Sequence, residues 1–118
     1  MEKLKVVFHI SESKMWRVLL ANIRNLIKDM GKENIIIEVV ANVVAVVDYV
    51  PTDDQENKET LEKIGQLSKV GVHFTACRNS LLGNNIEESI LPTFVTVVPA
   101  GVTQLVKRQS EGYSYIKL

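Results

Sequence analysis

The residue best suited to chemistry in this chain is Cys77, the only cysteine among 118 residues. It stands where an apolar run, GVHFTAC, gives way to the polar stretch RNSLLGNN. In α/β folds the carboxyl end of a strand faces the amino end of a helix, whose N–H groups favour a thiolate. Arg78, Asn79 and Ser80 follow directly and add a cation, an amide and a hydroxyl. We therefore predict a reactive thiol at Cys77, with these three residues as its binding surroundings.

The two histidines of the chain differ in their relation to Cys77. His73 shares its predicted strand and face, but four residues of strand span roughly 13 Å, too far for a hydrogen-bonded base. His9 lies near the carboxyl end of the first predicted strand. It lies ~5 Å from Cys77 if the two strands are neighbours and ~10 Å away if one strand intervenes. His9 is therefore a candidate ligand-binding residue, against an ordinary structural role.

Other chemistries have little support in the sequence. One cysteine and two widely separated histidines do not form a metal-ligand cluster, and a dithiol motif is impossible. No GxGxxG or GxxxxGK pattern is present, so we predict no cofactor, although the VPAG turn could bring a backbone close to an anion. A single reactive thiol can accept a group, hold it covalently and pass it on, as a persulfide carrier does. The alternative is a structural cysteine, because free cysteine is often buried.

Composition and charge favour a single globular domain over residues 1–118. Apolar residues make up 46% and charged residues 24%, and 14 basic residues balance 14 acidic ones. Lys and Arg are scattered, so no basic stripe is available for nucleic acid. No segment reaches the ~18 uninterrupted apolar residues of a membrane span, and the first apolar run is too short for a secretory signal. We expect a cytoplasmic protein, in which a lone thiol stays reduced.

Hydrophobic periodicity predicts the elements that must position Cys77. Runs rich in β-branched residues predict strands at residues 4–10, 35–41, 72–77 and 94–98, and at an edge in the ending YSYIKL. Helical spacing predicts a first helix over residues 14–30 and a last helix from Val102. Between them we predict a helix that begins with a capping box formed by Thr52 and Gln55, and a short helix whose start is capped by Asn84 or Asn85. The run VVAVVDYV is predicted as a short helix or turn, because a parallel crossover needs one.

Strand and helix alternate from end to end of the chain. This alternation is typical of a mostly parallel sheet that is covered by helices on both faces. We therefore predict an α/β fold with three layers, α/β/α, around a five-stranded sheet. In such a sheet Cys77 would lie at the carboxyl edge of the third strand.

Several segments of the chain match a known family. They are KVVFHISES, RVLLANIRNLIKDM, IIIEVVA, GVHFTACRNSL and the ending VPAGVTQLVKRQSEGYSYIKL. The most specific are the AC-x-N-[ST]-L block, with Cys77 and Asn79, and the RQ-x-EG-[WY]-x-YI ending, which begins at Arg108. Together they resemble the DsrE/DsrF-like family, and within it the small, stand-alone, YchN-like members.

This resemblance implies a fold, an assembly and a chemistry. It implies a parallel five-stranded sheet, a homotrimer or homohexamer and, as in the sulfur-relay members, a persulfide on Cys77. The leading hypothesis is a sulfur-transfer protein, either a sulfurtransferase or a sulfur carrier, that meets a donor or acceptor protein and uses Arg78 to stabilise the anionic sulfur. One alternative is a non-catalytic binding or scaffold module of the same fold. Another is a small-molecule enzyme with His9 as acid or base, which requires His9 and Cys77 on one pocket wall and fails if the first and third strands are well separated.

Overall fold

Five strands form one sheet in this protein, whose computed structural model describes residues 2–118. They are β1 (Leu4–Ile10), β2 (Ile35–Ala41), β3 (His73–Cys77), β4 (Val95–Val98) and β5 (Ser114–Lys117). Their order across the sheet is β4-β3-β2-β1-β5, and every pairing is parallel. The predicted five-stranded α/β fold is confirmed, and β5 is an edge strand as expected.

Four α-helices and a long 3-10 segment connect the strands. The helices are α1 (Trp16–Met30), α2 (Gln55–Lys69), α3 (Arg78–Gly83) and α4 (Gly101–Ser110). The run Val43–Tyr49 forms the 3-10 segment, in agreement with the predicted short helix or turn. Its β-branched residues favour a strand, but the crossover between parallel strands overrides that preference. None of the helices described in residues 2–118 is long and apolar enough to cross a membrane.

Two helix starts differ from the sequence-based prediction. The cap of α2 is Asp54, whose carboxylate accepts a hydrogen bond from the Asn57 N–H at 3.2 Å, while Thr52 accepts one from the Asp54 N–H at 3.3 Å. Between β3 and β4, α3 begins directly after Cys77 and ends at Asn84, and a single 3-10 turn follows at Glu88–Ile90 with Glu87 as its cap, so the prediction that Asn84 or Asn85 caps a short helix before Pro92 is wrong. With only six residues, α3 is too short to show a helical period in the sequence.

The helices lie in two layers of unequal size. One face of the sheet packs against α1, α2 and the 3-10 segment, around a core that contains Trp16, Tyr49 and Phe74. The rings of Trp16 and Tyr49 meet edge-on with centroids 5.3 Å apart, and the Tyr49 hydroxyl donates to the Thr75 carbonyl at 3.0 Å. The other face carries α4 over a much smaller apolar cluster. That second face also holds Cys77.

A buried carboxylate fixes α4 on the sheet. Glu38, in the middle of β2, is 1% exposed. Its Oε1 accepts a hydrogen bond from Arg108 Nε at 2.7 Å, and its Oε2 accepts one from Gln104 Nε2 at 2.8 Å. Gln104 and Arg108 are four residues apart on α4, so both face the same carboxylate. The two contacts therefore hold α4 against β2.

Candidate functional site

Cys77 is the last residue of β3 and the residue before α3. Side chains alternate along a strand, so Phe74 and Ala76 point into the large core and Cys77 points to the face that carries α4. The residue is 6% exposed. Its position at the carboxyl edge of the sheet agrees with the sequence-based expectation. The thiol is, however, less exposed to solvent than a residue at an uncovered edge would be.

Polar groups at the starts of α3 and α4 lie next to the Cys77 thiol and shift its pKa. Burial raises the pKa of the thiol, but hydrogen bonds from the Ser80 hydroxyl and from the N–H groups of Gly101, Ser80 and Asn79 lower it by more. The pKa of Cys77 therefore lies below its ordinary value. All four donors are neutral groups. Three of them belong to Asn79 and Ser80 in the first turn of α3, and the fourth is the N–H of Gly101 in α4. The site therefore favours the anionic form of the sulfur through neutral hydrogen-bond donors and not through a nearby cation.

Gly101 lets the backbone of α4 approach the thiol. A Cβ atom at this position would stand 3.4 Å from the Cβ of Cys77, the Cβ of Asn42 and Cγ1 of Val40. Because glycine has no side chain, the first N–H of α4 can come within hydrogen-bonding reach of the sulfur. The backbone approach expected at the VPAG turn is therefore directed at Cys77.

The Ser80 hydroxyl is held by the backbone of Val43. The Val43 N–H donates to Ser80 Oγ at 2.7 Å, which leaves the hydroxyl proton free for Cys77, and Asn84 Nδ2 donates to the Val43 carbonyl at 3.0 Å. Val43 has a φ of 53°, in the left-handed region that β-branched residues rarely adopt. Ser80 and Asn84 thus stabilise a strained turn at Val43 through hydrogen bonds to its backbone, and the turn orients the Ser80 hydroxyl.

We expect Val43→Gly to stabilise the protein by about 1 kcal/mol, because glycine adopts a positive φ without steric strain and Val43 is 58% exposed. The measurement is urea unfolding at neutral pH. Val44→Gly is the matched control, since Val44 is also exposed but has a negative φ, and it should destabilise by about 0.5–1 kcal/mol. Equal decreases in the free energy of unfolding for the two variants would show that the backbone of Val43 is not strained.

The Arg78 side chain turns away from the thiol. Its guanidinium donates through Nε and Nη2 to the carboxylate of Glu88, and both side chains are exposed. Arg78 is not among the groups that shift the pKa of Cys77 most. The structure brings together Cys77, the backbone of Asn79 and the backbone and hydroxyl of Ser80. The expected contact between Arg78 and the sulfur is replaced by a surface ion pair, because the first turn of α3 directs this side chain outward.

His9 is not a direct neighbour of Cys77, because β2 lies between β1 and β3. The hypothesis of direct acid–base action by His9 on this thiol is therefore wrong. Its ring contacts the Tyr115 hydroxyl through Nδ1 at 2.8 Å and Asn42 Oδ1 through Nε2 at 3.0 Å. Burial lowers the pKa of His9, the hydrogen bond with Asn42 opposes this, and Lys117 lowers it further. His9 is part of a polar network at the same edge of the sheet.

His73 lies at the amino end of β3, far from the thiol. Its Nε2 contacts Thr96 Oγ1 at 3.1 Å, and its Nδ1 lies 3.7 Å from Oε1 of Glu38. These contacts agree with the exclusion of His73 as a base for Cys77. In the part of the chain that the structure describes, no three His, Cys, Asp or Glu side chains cluster as metal ligands.

The profile of the DsrE/DsrF-like family matches residues 17–118, which include the whole surroundings of Cys77. The chain belongs to the DsrE/DsrF-like family. Among solved structures it is similar to a protein of unknown function, MTH1491, from Methanobacterium thermoautotrophicum, with 32% identity and a TM-score of 0.85 over 98% of this chain and 100% of that one. It is also similar in fold to YchN from E. coli, with 15% identity and a TM-score of 0.66 over 100% of both chains. No curated protein matches the sequence.

Three residues around this DsrE/DsrF-like site were not connected with Cys77 by the sequence analysis, in which Gly101 appeared only as part of the VPAG turn. Asn42 is the first residue after β2 and so lies at the same edge of the sheet as Cys77. Gly101 forms part of the wall next to the thiol, and Glu38 anchors α4. A signal existed for two of them: Glu38 interrupts the apolar strand IIIEVVA, and Asn42 directly follows it.

Proposed function

We propose that this DsrE/DsrF-like protein is a sulfur-transfer protein in which Cys77 carries sulfane sulfur as a persulfide. Membership of the family supports a role related to sulfur relay. The finer proposal is carried by one observation, the set of neutral donors that lower the pKa of the Cys77 thiol. The thiolate is the nucleophilic form of cysteine, so these donors favour attack on a sulfane sulfur.

The proposed transfer balances without an external oxidant or reductant. The Cys77 thiolate attacks the outer sulfur of a donor persulfide, R–S–SH. A new S–S bond forms at Cys77, the S–S bond of the donor breaks, and the donor leaves as the thiolate R–S⁻. The transferred sulfur keeps its oxidation state and its proton, which then dissociates to leave an anionic outer sulfur. Transfer to an acceptor thiolate repeats the same exchange.

Intact-mass spectrometry tests the proposal directly. The reduced protein is exposed to inorganic polysulfide, and we expect a gain of one sulfur atom per chain that dithiothreitol removes. Cys77→Ser should gain none, and because the chain has no other cysteine, no second thiol complicates the result. Wild-type protein blocked with iodoacetamide is the control for loosely bound sulfur. Sulfur gain by Cys77→Ser, or no gain by the wild type, contradicts the proposal.

A binding or scaffold module of the same fold is the second candidate function. The 6% exposure of Cys77 favours it, because structural cysteines are buried. The pH dependence of iodoacetamide alkylation separates the two candidates, since its midpoint reports the pKa of the thiol, which burial raises and the surrounding hydrogen bonds lower. A midpoint below that of a free thiol supports the carrier, and a midpoint at or above it supports the scaffold.

We also propose that the domain, residues 1–118, acts in the cytoplasm as a homotrimer or homohexamer. Val102 and Val106 are four residues apart on α4 and are 66% and 61% exposed, so they form an apolar stripe on its outer side. Tyr115, on the edge strand β5, is 41% exposed. Such residues suit a subunit contact. Sedimentation equilibrium measures the assembly, and a monomer at all concentrations would contradict it.

A further inference from the structure

Asn42 has hydrogen-bond donors that the protein does not use. The residue is half-buried at the carboxyl edge of the sheet. Its Oδ1 accepts hydrogen bonds from Ser11 Oγ at 2.7 Å and from His9 Nε2 at 3.0 Å. Its Nδ2 makes no hydrogen bond to the residues that the structure describes, 2–118. An amide with two hydrogen bonds to its oxygen still has two N–H donors to offer to a ligand.

The position of Gly101 shows how close this amide lies to the thiol. The Cβ atoms of Asn42 and Cys77 each lie 3.4 Å from the point where a Cβ of Gly101 would stand, so they are no more than twice that distance apart. An S–S bond is about 2.05 Å long, so a persulfide places its outer sulfur well beyond the position of the thiol. The donors from α3 and α4 already surround the inner sulfur, whereas the outer one needs a donor further out. The short distance between the two Cβ atoms makes the Asn42 amide the candidate for that donor.

A chain of hydrogen bonds fixes the orientation of the amide. Because Asn42 Oδ1 is an acceptor, His9 Nε2 must donate and carries the ring proton. His9 Nδ1 then accepts from the Tyr115 hydroxyl at 2.8 Å. The lowered pKa of His9, caused first by burial, keeps the ring neutral, as this arrangement requires. The network holds the Asn42 oxygen toward β1 and leaves the nitrogen on the other side of the amide.

We propose that Asn42 binds the outer sulfur atom of the Cys77 persulfide through its side-chain N–H groups, and that His9, Ser11 and Tyr115 hold the amide in position. This inference rests on the proposed function. It makes His9 a positioning residue, in contact with Asn42 rather than with the reacting atoms. N–H donors on the outer sulfur stabilise its anionic form and so slow its loss to a reductant.

The test measures how long the persulfide survives. Protein loaded with inorganic polysulfide is chased with dithiothreitol, and the remaining sulfur is followed by intact-mass spectrometry. Asn42→Asp keeps an acceptor for Ser11 and His9 but removes the N–H donors, and Asn42→Leu removes them without adding charge. We expect both to lose sulfur about tenfold faster than the wild type. Ser11→Ala, which only loosens the amide, should give a smaller change in the same direction.

Matched controls separate this inference from the proposed function. Asn25→Asp makes the same substitution on the exposed side of α1 and should lose sulfur at the wild-type rate. If the wild type takes up no sulfur, the proposed function and this inference both fail. If it takes up sulfur and both Asn42 variants retain it as long as the wild type, only this inference fails.

A measurement on the wild type needs no variant to fold. In ¹⁵N–¹H spectra, the side-chain amide protons of Asn42 should move downfield when Cys77 is persulfidated, because they then donate to an anion. The side-chain amide of Asn25 provides the internal reference. An unchanged Asn42 amide in a fully loaded sample would overturn the inference.

Discussion

Replacing Arg108 by methionine is expected to lower the free energy of unfolding by about 4 kcal/mol. The substitution removes the guanidinium from the Glu38 carboxylate, whose side chain is 2% exposed, and leaves it with one hydrogen bond, from Gln104, and with His73 Nδ1 at 3.7 Å. Breaking a buried ion pair from one side costs about 3–5 kcal/mol, because the remaining charge has lost its partner and cannot reach water. Urea unfolding, followed by circular dichroism, measures the loss.

The reciprocal and control variants make this prediction specific. Glu38→Gln should cost less, about 3 kcal/mol, because the Arg108 side chain is 24% exposed and can turn toward water. The double variant Glu38→Leu/Arg108→Met should be more stable than Arg108→Met alone. Arg78→Met breaks the exposed pair with Glu88 and should change stability little. Equal losses for Arg78→Met and Arg108→Met would show that burial of Glu38 does not matter.

Ser80→Ala is expected to raise the pKa of the Cys77 thiol and to slow its alkylation about tenfold. After burial, which raises the pKa, the Ser80 hydroxyl is the largest influence, and it lowers the pKa by donating to the sulfur. A hydrogen bond to a charged group contributes about 1.5–3 kcal/mol, and one pKa unit corresponds to about 1.4 kcal/mol. At a pH below the wild-type midpoint, the thiolate fraction and the alkylation rate should therefore fall about tenfold. The measurement is the pH profile of iodoacetamide alkylation.

Two variants check the cause of this shift. Ser80→Thr keeps a hydroxyl and should keep a midpoint close to that of the wild type. Ser110→Ala removes an exposed hydroxyl that donates to the Lys107 carbonyl, far along α4, and should have no effect. A Ser80→Ala profile that matches the wild type would show that the backbone N–H groups alone set the pKa.

Much of the fold could be predicted because the strands carry a strong signal. Ile35–Ala41 is almost entirely apolar, as expected for a strand buried on both faces. Local propensity misleads at Val43–Tyr49, where only the need for a crossover between parallel strands indicates a helix. The start of α3 could not be read from the sequence because so short a helix is defined by its contacts and not by periodicity.

The site could be predicted only where its residues are adjacent in the sequence. Cys77 and Ser80 were found because Cys77 ends a predicted strand and Ser80 follows it by only three residues. Asn42 and Gly101 come from two other connections and meet the thiol only through the strand order, which the sequence alone does not provide. Arg78 shows the converse, because adjacency in the chain does not decide which way a helical side chain points.

The close contact between the amino end of α4 and Cys77 has a kinetic consequence. With the thiol 6% exposed, a molecule as large as glutathione cannot approach a stored sulfur until the polypeptide opens locally. The rate at which a reductant removes the sulfur should then reach a ceiling as the reductant becomes more concentrated, because the local opening step limits this rate. At that ceiling the storage time would depend on the rate of local opening and no longer on the concentration of the reductant.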